Sequence, residues 1–166
     1  MGELRTRQST IVRPADTTQY AANDVMADGT GDATFDLSGL AGQDGRAVRL
    51  RTIRLVTPQN ALAQVPRLRL YFFGSLPTLV ADNAAFAPSD ADIAKLVGVV
   101  NLEDGEWYAG TNNTFAFKSV DIVCPILDRV SSATGPRPFY AMPVWTSSYV
   151  PESEEAFTLT VTAEQL

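Results

Sequence analysis

The side chains that most often carry catalysis are scarce in this sequence. Histidine, the usual proton shuttle near neutral pH, is absent. Neither a Ser-His-Asp nor a Cys-His constellation can therefore form. The single cysteine, Cys124, sits in the apolar run Ile122-Val123-Cys124-Pro125-Ile126. With no histidine to activate it and no second cysteine to bridge, it reads as a buried, inert thiol. A glycosidase needs only two carboxylates, but 19 acidic residues always allow some pair, and no spacing singles one out. No glycine-rich loop runs into Gly-Lys-Ser/Thr, so a phosphate cradle is excluded. Asp24, Asp28, Asp32 and Asp36 recur every four residues around Gly29 and Gly31. Calcium takes about six to eight oxygens, and this spacing matches no dedicated loop; aspartate in glycine-rich turns is ordinary turn chemistry. The residues thus point to no enzyme, no cofactor and no metal.

Aromatic residues are the next candidates. Trp107 and Tyr108 follow a turn, while Tyr140, Trp145 and Tyr149 lie in or just after a strand. Trp107, Trp145 and Tyr149 would form an exposed aromatic surface for a partner or a sugar; core packing is the competing reading. Tyr140 and Trp145 have opposite parity, so one of them faces away from the core unless the strand bends. Pro143 between them implies a bend or an edge position.

Charge narrows the partners. The net charge of −6 opposes nucleic acid, which calls for a basic face, and opposes an anionic membrane surface. Of 13 basic residues only Lys95 and Lys118 are lysine. Arginine suits planar contacts at interfaces, although a GC-rich genome yields the same bias. No apolar stretch approaches the ~20 residues of a membrane span. Met1 to Arg5 carries no apolar signal region, which implies a protein made and kept in a cytoplasm until assembled or released.

The elements that must position these groups are strands. In Phe157-Thr158-Leu159-Thr160-Val161-Thr162-Ala163, apolar residues and threonine alternate as in a half-buried strand. Arg67 to Phe72 alternates likewise. In Val48-Arg49-Leu50-Arg51-Thr52-Ile53-Arg54-Leu55, Val48 and Leu50 share one parity, but Ile53 and Leu55 share the other. A regular strand cannot bury both pairs on one face. This predicts a β-bulge at Arg51-Thr52, or a strand that passes between sheets. Further strands are expected at Ser9–Arg13, Gln19–Val25, Ala33–Leu37, Leu96–Leu102, Thr114–Lys118 and Phe139–Thr146. Turn clusters at 28–32, 38–45, 103–105 and 131–138 separate them. One short helix is expected within Pro88–Gly98, with a Ser or Asp N-cap and Gly98 as its stop. The expected fold is an all-β, antiparallel two-sheet sandwich over residues 15–166, preceded by an exposed arm at residues 1–14.

Several segments resemble small structural proteins of tailed bacteriophages. They are Tyr20-Ala21-Ala22-Asn23-Asp24-Val25, Leu68-Arg69-Leu70-Tyr71-Phe72-Phe73, Ala81-Asp82-Asn83-Ala84-Ala85-Phe86, Val97-Gly98 and Phe157-Thr158-Leu159-Thr160-Val161, in matching order from about residue 20 to the C-terminus. The resemblance is to capsid decoration, or cement, proteins. It implies a jelly-roll-like sandwich, a homotrimer, and a place on the outer capsid surface of a virion assembled in the host cytoplasm. It implies no catalytic residue. The partner would be the major capsid protein, and an N-terminal arm is where such proteins grip the shell. Here that arm offers Arg5, Arg7, Ser9, Thr10, Ile11, Val12 and Arg13, with the arginines paired to capsid carboxylates and Ser9–Val12 adding a strand to a sheet edge. The alternative is a receptor- or glycan-binding module of a head or tail fibre.

Overall fold

The computed structural model describes residues 2–41, 47–58, 65–125 and 137–166. The strands are β1 (Leu4–Val12), β2 (Phe35–Asp36), β3 (Val48–Thr57), β4 (Leu68–Phe73), β5 (Leu96–Leu102), β6 (Trp107–Ala109), β7 (Thr114–Cys124), β8 (Tyr140–Trp145) and β9 (Ala156–Gln165). They form a five-stranded sheet, β1-β9-β3-β7-β6, and a four-stranded sheet, β2-β8-β4-β5. Every pairing is antiparallel. Leaving β6 aside, the chain alternates between sheets except from β4 to β5, which pair in the same sheet across the segment that carries α1. That winding is the two-sheet, eight-strand arrangement of a jelly roll.

The phase break in β3 is a bulge. Its pairing shifts between Leu50 and Thr52 against both neighbours, β7 and β9. Arg51 is the extra residue opposite β9, so Val48, Leu50, Ile53 and Leu55 all turn inward and are fully buried. Along β9, Ala163, Val161 and Leu159 stand opposite Leu50, Ile53 and Leu55, and Phe157 continues the row opposite Ile11; all four are buried, while Thr158, Thr160 and Thr162 stay half-exposed. Each large aliphatic or aromatic side chain removed from water contributes about 1.5–3 kcal/mol.

The four-stranded sheet is covered on both faces, which explains the nearly continuous burial of β8. Trp145 points into the inter-sheet core. Tyr140 has the other parity and packs with Met142 and Val144 against Val25, Ala27, Ala33 and Phe86 on the outside of that sheet. Pro143 lies beyond the short β2, and its carbonyl accepts the Met26 N–H at 3.2 Å.

Some expected elements differ. The segment at 19–25 is not a strand: it makes isolated bridges Tyr20–Tyr149, Asp24–Ala85 and Val25–Val144. Asn23 turns to φ +77°, and Asp24 Oδ2 accepts the Ala21 N–H, which breaks the extended run. The helix is a single turn, α1 (Asp90–Ile93), with Ser89 as N-cap. Gly98 does not stop it but lies inside β5. A Cβ there would meet Ile122 Cγ2 at 3.3 Å and Cys124 Sγ at 3.4 Å, so the glycine permits close approach to β7. The four-residue aspartate repeat serves turns. Asp28 Oδ1 accepts from Thr30 and Asp32 N–H groups, Asp32 Oδ1 from Thr34, and Asp36 Oδ1 from Ser38. Gly31, at φ +87°, closes the first of these turns. Residues 42–45 of one turn cluster, 131–136 of another, and Ile126 lie outside the described residues.

The expected arm is part of the body. Residues 4–12 pair with β9 along their whole length, Leu4 with Glu164 through Val12 with Ala156.

Candidate functional site: an outward aromatic patch on a closed core

The ionisable groups nearest the core are tied to one another. Arg13, expected at the surface, is 2% exposed. Its Nη2 bonds Asp82 Oδ2 at 3.0 Å and Asp16 Oδ1 at 3.2 Å, its Nε donates to the Tyr20 hydroxyl, and its guanidinium lies 4.6 Å from the Tyr20 ring centroid. Tyr20 in turn donates to Asp82 Oδ1 at 2.6 Å, which also accepts the Ala27 N–H at 2.8 Å. Burial and the Asp82 carboxylate push the Tyr20 phenol far above its usual range. This network fastens the end of β1 to the 16–27 segment and to Asp82.

A second buried carboxyl, Glu155, accepts from the Thr57 hydroxyl, from the Tyr149 hydroxyl at 2.9 Å, and from the Glu152 N–H at 3.1 Å. Burial raises its pKa above the ordinary 4.5, and the nearby Glu152 charge acts in the same direction; the bonds from Thr57 and Tyr149 oppose it. In this window the folded chain holds more protons than the unfolded chain. Stability should therefore fall as pH rises from about 4.5 through the raised value, then level off. Glu155→Gln should remove that slope; urea unfolding between pH 4 and 8 measures it, and an unchanged slope would refute the assignment.

Cys124 is buried, and loss of solvation pushes its thiol up to about 12. Two cavities have volumes of about 130 Å³, beside α1 with Asp92, and about 210 Å³, between Asn23, Arg69, Tyr71 and Thr146. Both fall below the roughly 300–1,000 Å³ of typical ligand pockets. Among the described residues, no cluster of acids and thiols suits a metal ion. No described helix is long and apolar enough to cross a membrane.

The expected aromatic surface is corrected: Trp107, Trp145 and Tyr149 are buried, at 5%, 1% and 1% exposure. Trp107 sits opposite the small Ala116 and fills the core there. Trp145 stacks between Tyr20 and Tyr149 at 4.9 and 4.3 Å. The β1 residues divide. Ile11 enters the core and Ser9 is half-buried, while Thr10 and Val12 are exposed. Arg5 pairs with Glu3 at 3.1 Å. Arg7 donates to the Ser38 and Thr6 carbonyls, both at 3.2 Å.

The exposed aromatics are others. On the outer face of the five-stranded sheet, Tyr108 is 51% and Phe117 47% exposed, with Phe115 half-buried between β6 and the body of the sheet. Tyr108 and Phe115 stack at 5.6 Å. Pairings place Thr10, Thr158, Val56, Phe115 and Tyr108 side by side, one from each strand. The face thus grades from threonine on β1 and β9, where Thr6–Thr162 and Thr10–Thr158 hydroxyls meet at 2.9 Å, to aromatic on β7 and β6. A sequence signal existed in the alternation Thr114-Phe115-Ala116-Phe117. Its phase is the reverse of the usual one, because Trp107 occupies the core opposite Ala116. This patch offers shape and apolar contact but no nucleophile, acid or metal-ligand set.

No family model matches the chain, and no curated protein sequence matches it. Similar solved structures include the mannan-recognising carbohydrate-binding module TmCBM27, 14% identical over 80% of this chain, with a TM-score of 0.39. The chain spans 63% of that module's length. A full particle of Israeli acute paralysis virus is 11% identical over 99% of this chain and 68% of its own, with a TM-score of 0.38. The capsid of cyanophage Pam1 is 8% identical over 99% of this chain and 86% of its own, with a TM-score of 0.38.

Proposed function

We propose that this protein is a non-enzymatic structural component of a virion, a decoration or cement protein that binds the outer capsid surface and stabilises the head. Its partner is the major capsid protein, with self-association as a homotrimer. The observation that carries this reading is the Tyr108–Phe115–Phe117 patch, an exposed aromatic face on a closed jelly roll whose buried acids and phenols serve the fold. The resemblance of five ordered segments to phage decoration proteins supports it. Aromatic residues are enriched at protein interfaces and depleted elsewhere on surfaces. A ligand that binds the assembled lattice stabilises it by mass action.

The structure changes which residues test it. Removing residues 1–14 would strip an edge strand and the buried Arg13, so point substitutions on the exposed patch are the cleaner probe. Tyr108→Ser and Phe117→Ser should each weaken co-sedimentation with capsids at least ~10-fold, since an aromatic anchor is worth about 2 kcal/mol or more. Both side chains are half-exposed, so folding stability should move by only about 0.5 kcal/mol. Wild-type binding by both variants would refute the docking face. The glycan-binding reading loses its three named aromatics to the core. Binding of this protein to a glycan array with none to capsids would reinstate it.

A further inference from the structure

β1 is the outermost strand of its sheet, and its phase against β9 is fixed at both ends. The Gln165 N–H donates to Glu3 O at 2.9 Å, and the Arg13 N–H donates to Glu155 O at 3.1 Å. Odd-numbered residues of β1 therefore exchange main-chain bonds with β9, and the main-chain groups of Leu4, Thr6, Gln8, Thr10 and Val12 point the other way. Among the described residues, no main-chain group bonds to that open side. Among the described residues, the Thr6 carbonyl accepts only from the side chain of its neighbour Arg7. All five residues are exposed. Arg5 and Arg7 are the only charged residues along the strand, and both lie on its inner parity rather than among the five open positions. Proline and a bulge, two other usual protections of an edge, are missing: the strand contains no proline, and its pairing with β9 runs without a shift.

The order of residues along this edge is self-complementary. Laid antiparallel against a copy of itself about a twofold axis at Gln8, the strand places Gln8 opposite Gln8 and Thr6 opposite Thr10. Leu4, 66% exposed, meets Val12, 47% exposed. This register pairs all five open positions, and slipping it by two residues leaves an end unpaired. On the other face, Arg5 falls opposite Ile11 and Arg7 opposite Ser9, so no two arginines stand directly opposite each other. The threonine ladder of Thr6–Thr162 and Thr10–Thr158 would continue across the junction.

We propose that a second copy of this chain docks on β1, strand to strand and antiparallel about Gln8, joining two five-stranded sheets into one. Such a contact is twofold by construction. The homotrimer proposed above would form through a threefold contact elsewhere on the molecule, and two such trimers would join through β1 into a hexamer, so the number of chains in the assembly is even.

Native mass spectrometry and sedimentation equilibrium of the full chain over a concentration series test this. The wild type should contain an even number of chains, and Gln8→Pro should halve that number. Proline there removes only an outward N–H, so β1–β9 pairing is kept. Should Gln8→Pro unfold, exposed side chains decide the matter. Leu4→Lys with Val12→Lys should weaken association at least ~10-fold by opposing like charges in this register, and Leu4→Lys with Val12→Glu should restore it. A single chain at every concentration, an odd-numbered assembly, or an assembly unaffected by these changes would overturn the proposal. Capsid binding is read separately, so the two proposals fail independently.

Discussion

Arg13→Ala should lower the free energy of unfolding by about 3–5 kcal/mol, the usual cost of removing one partner from a buried ion pair. The side chain of Arg13 has no exposed surface, and that of Asp82 is 12% exposed. Truncation would leave Asp82 facing the Tyr20 hydroxyl and the Ala27 N–H without its counter-charge. It would also open the space over the Tyr20 ring. Small domains are stable by only ~5–15 kcal/mol in total, so the variant should unfold at far lower urea. Arg13→Lys retains the charge but lacks the planar fork that reaches Asp16, Asp82 and Tyr20 together, and should fall between. Arg13→Met combined with Asp82→Leu should cost less than the sum of the two single changes, because no charge is left unpaired. Urea unfolding monitored by tryptophan fluorescence measures all five variants, the two single changes included. A cost below about 1 kcal/mol for Arg13→Ala would show that the pair is solvated and replaceable.

The sequence made the sandwich legible wherever a strand has one wet and one dry face. β9 announced itself by strict alternation, and the parity break in β3 located its bulge, because an extra residue in such a strand must move the apolar set across. β1 was harder to read. An edge strand at the rim of a sheet buries little on either side, so Arg5, Arg7 and Ser9 occupy its inner parity and the pattern resembles a solvated arm. β8 was misleading for the opposite reason. Both its faces are covered, the outer one by residues from 25–33 and Phe86, and no local pattern reveals a covering segment that comes from elsewhere in the chain. The exposed aromatic patch was hidden by its inverted phase: Phe115 and Phe117 look like core residues until Trp107 is seen to fill the core beside them. Pairings over more than a hundred residues, such as β1 with β9, leave no local mark at all.

Trp145→Ala should cost about 3–5 kcal/mol, the range for deleting a buried aromatic side chain and leaving a cavity. The indole is held on three sides: stacked on Tyr20 at 4.9 Å, stacked on Tyr149 at 4.3 Å and met edge-on by Phe157 at 6.0 Å. Tyr20 belongs to the Arg13–Asp82 network and Tyr149 to the Glu155 cluster, so Trp145 is the packing link between the two buried polar groups. A void there would loosen both. Trp145→Phe tests whether ring volume or the indole N–H matters. Trp145 Nε1 is buried and meets no acceptor among the described residues, an arrangement that costs the desolvation of a donor. Phenylalanine gives up some stacking area and leaves a smaller void but removes that donor, so it should cost clearly less than alanine. The same comparison separates the two uses of aromatic residues in this protein. A loss of partner binding in Trp145→Ala should appear only together with loss of the fold, whereas Tyr108→Ser should lose binding with the fold intact. Equal stability of Trp145→Ala and wild type in urea would overturn this division, because it would place the indole outside the core.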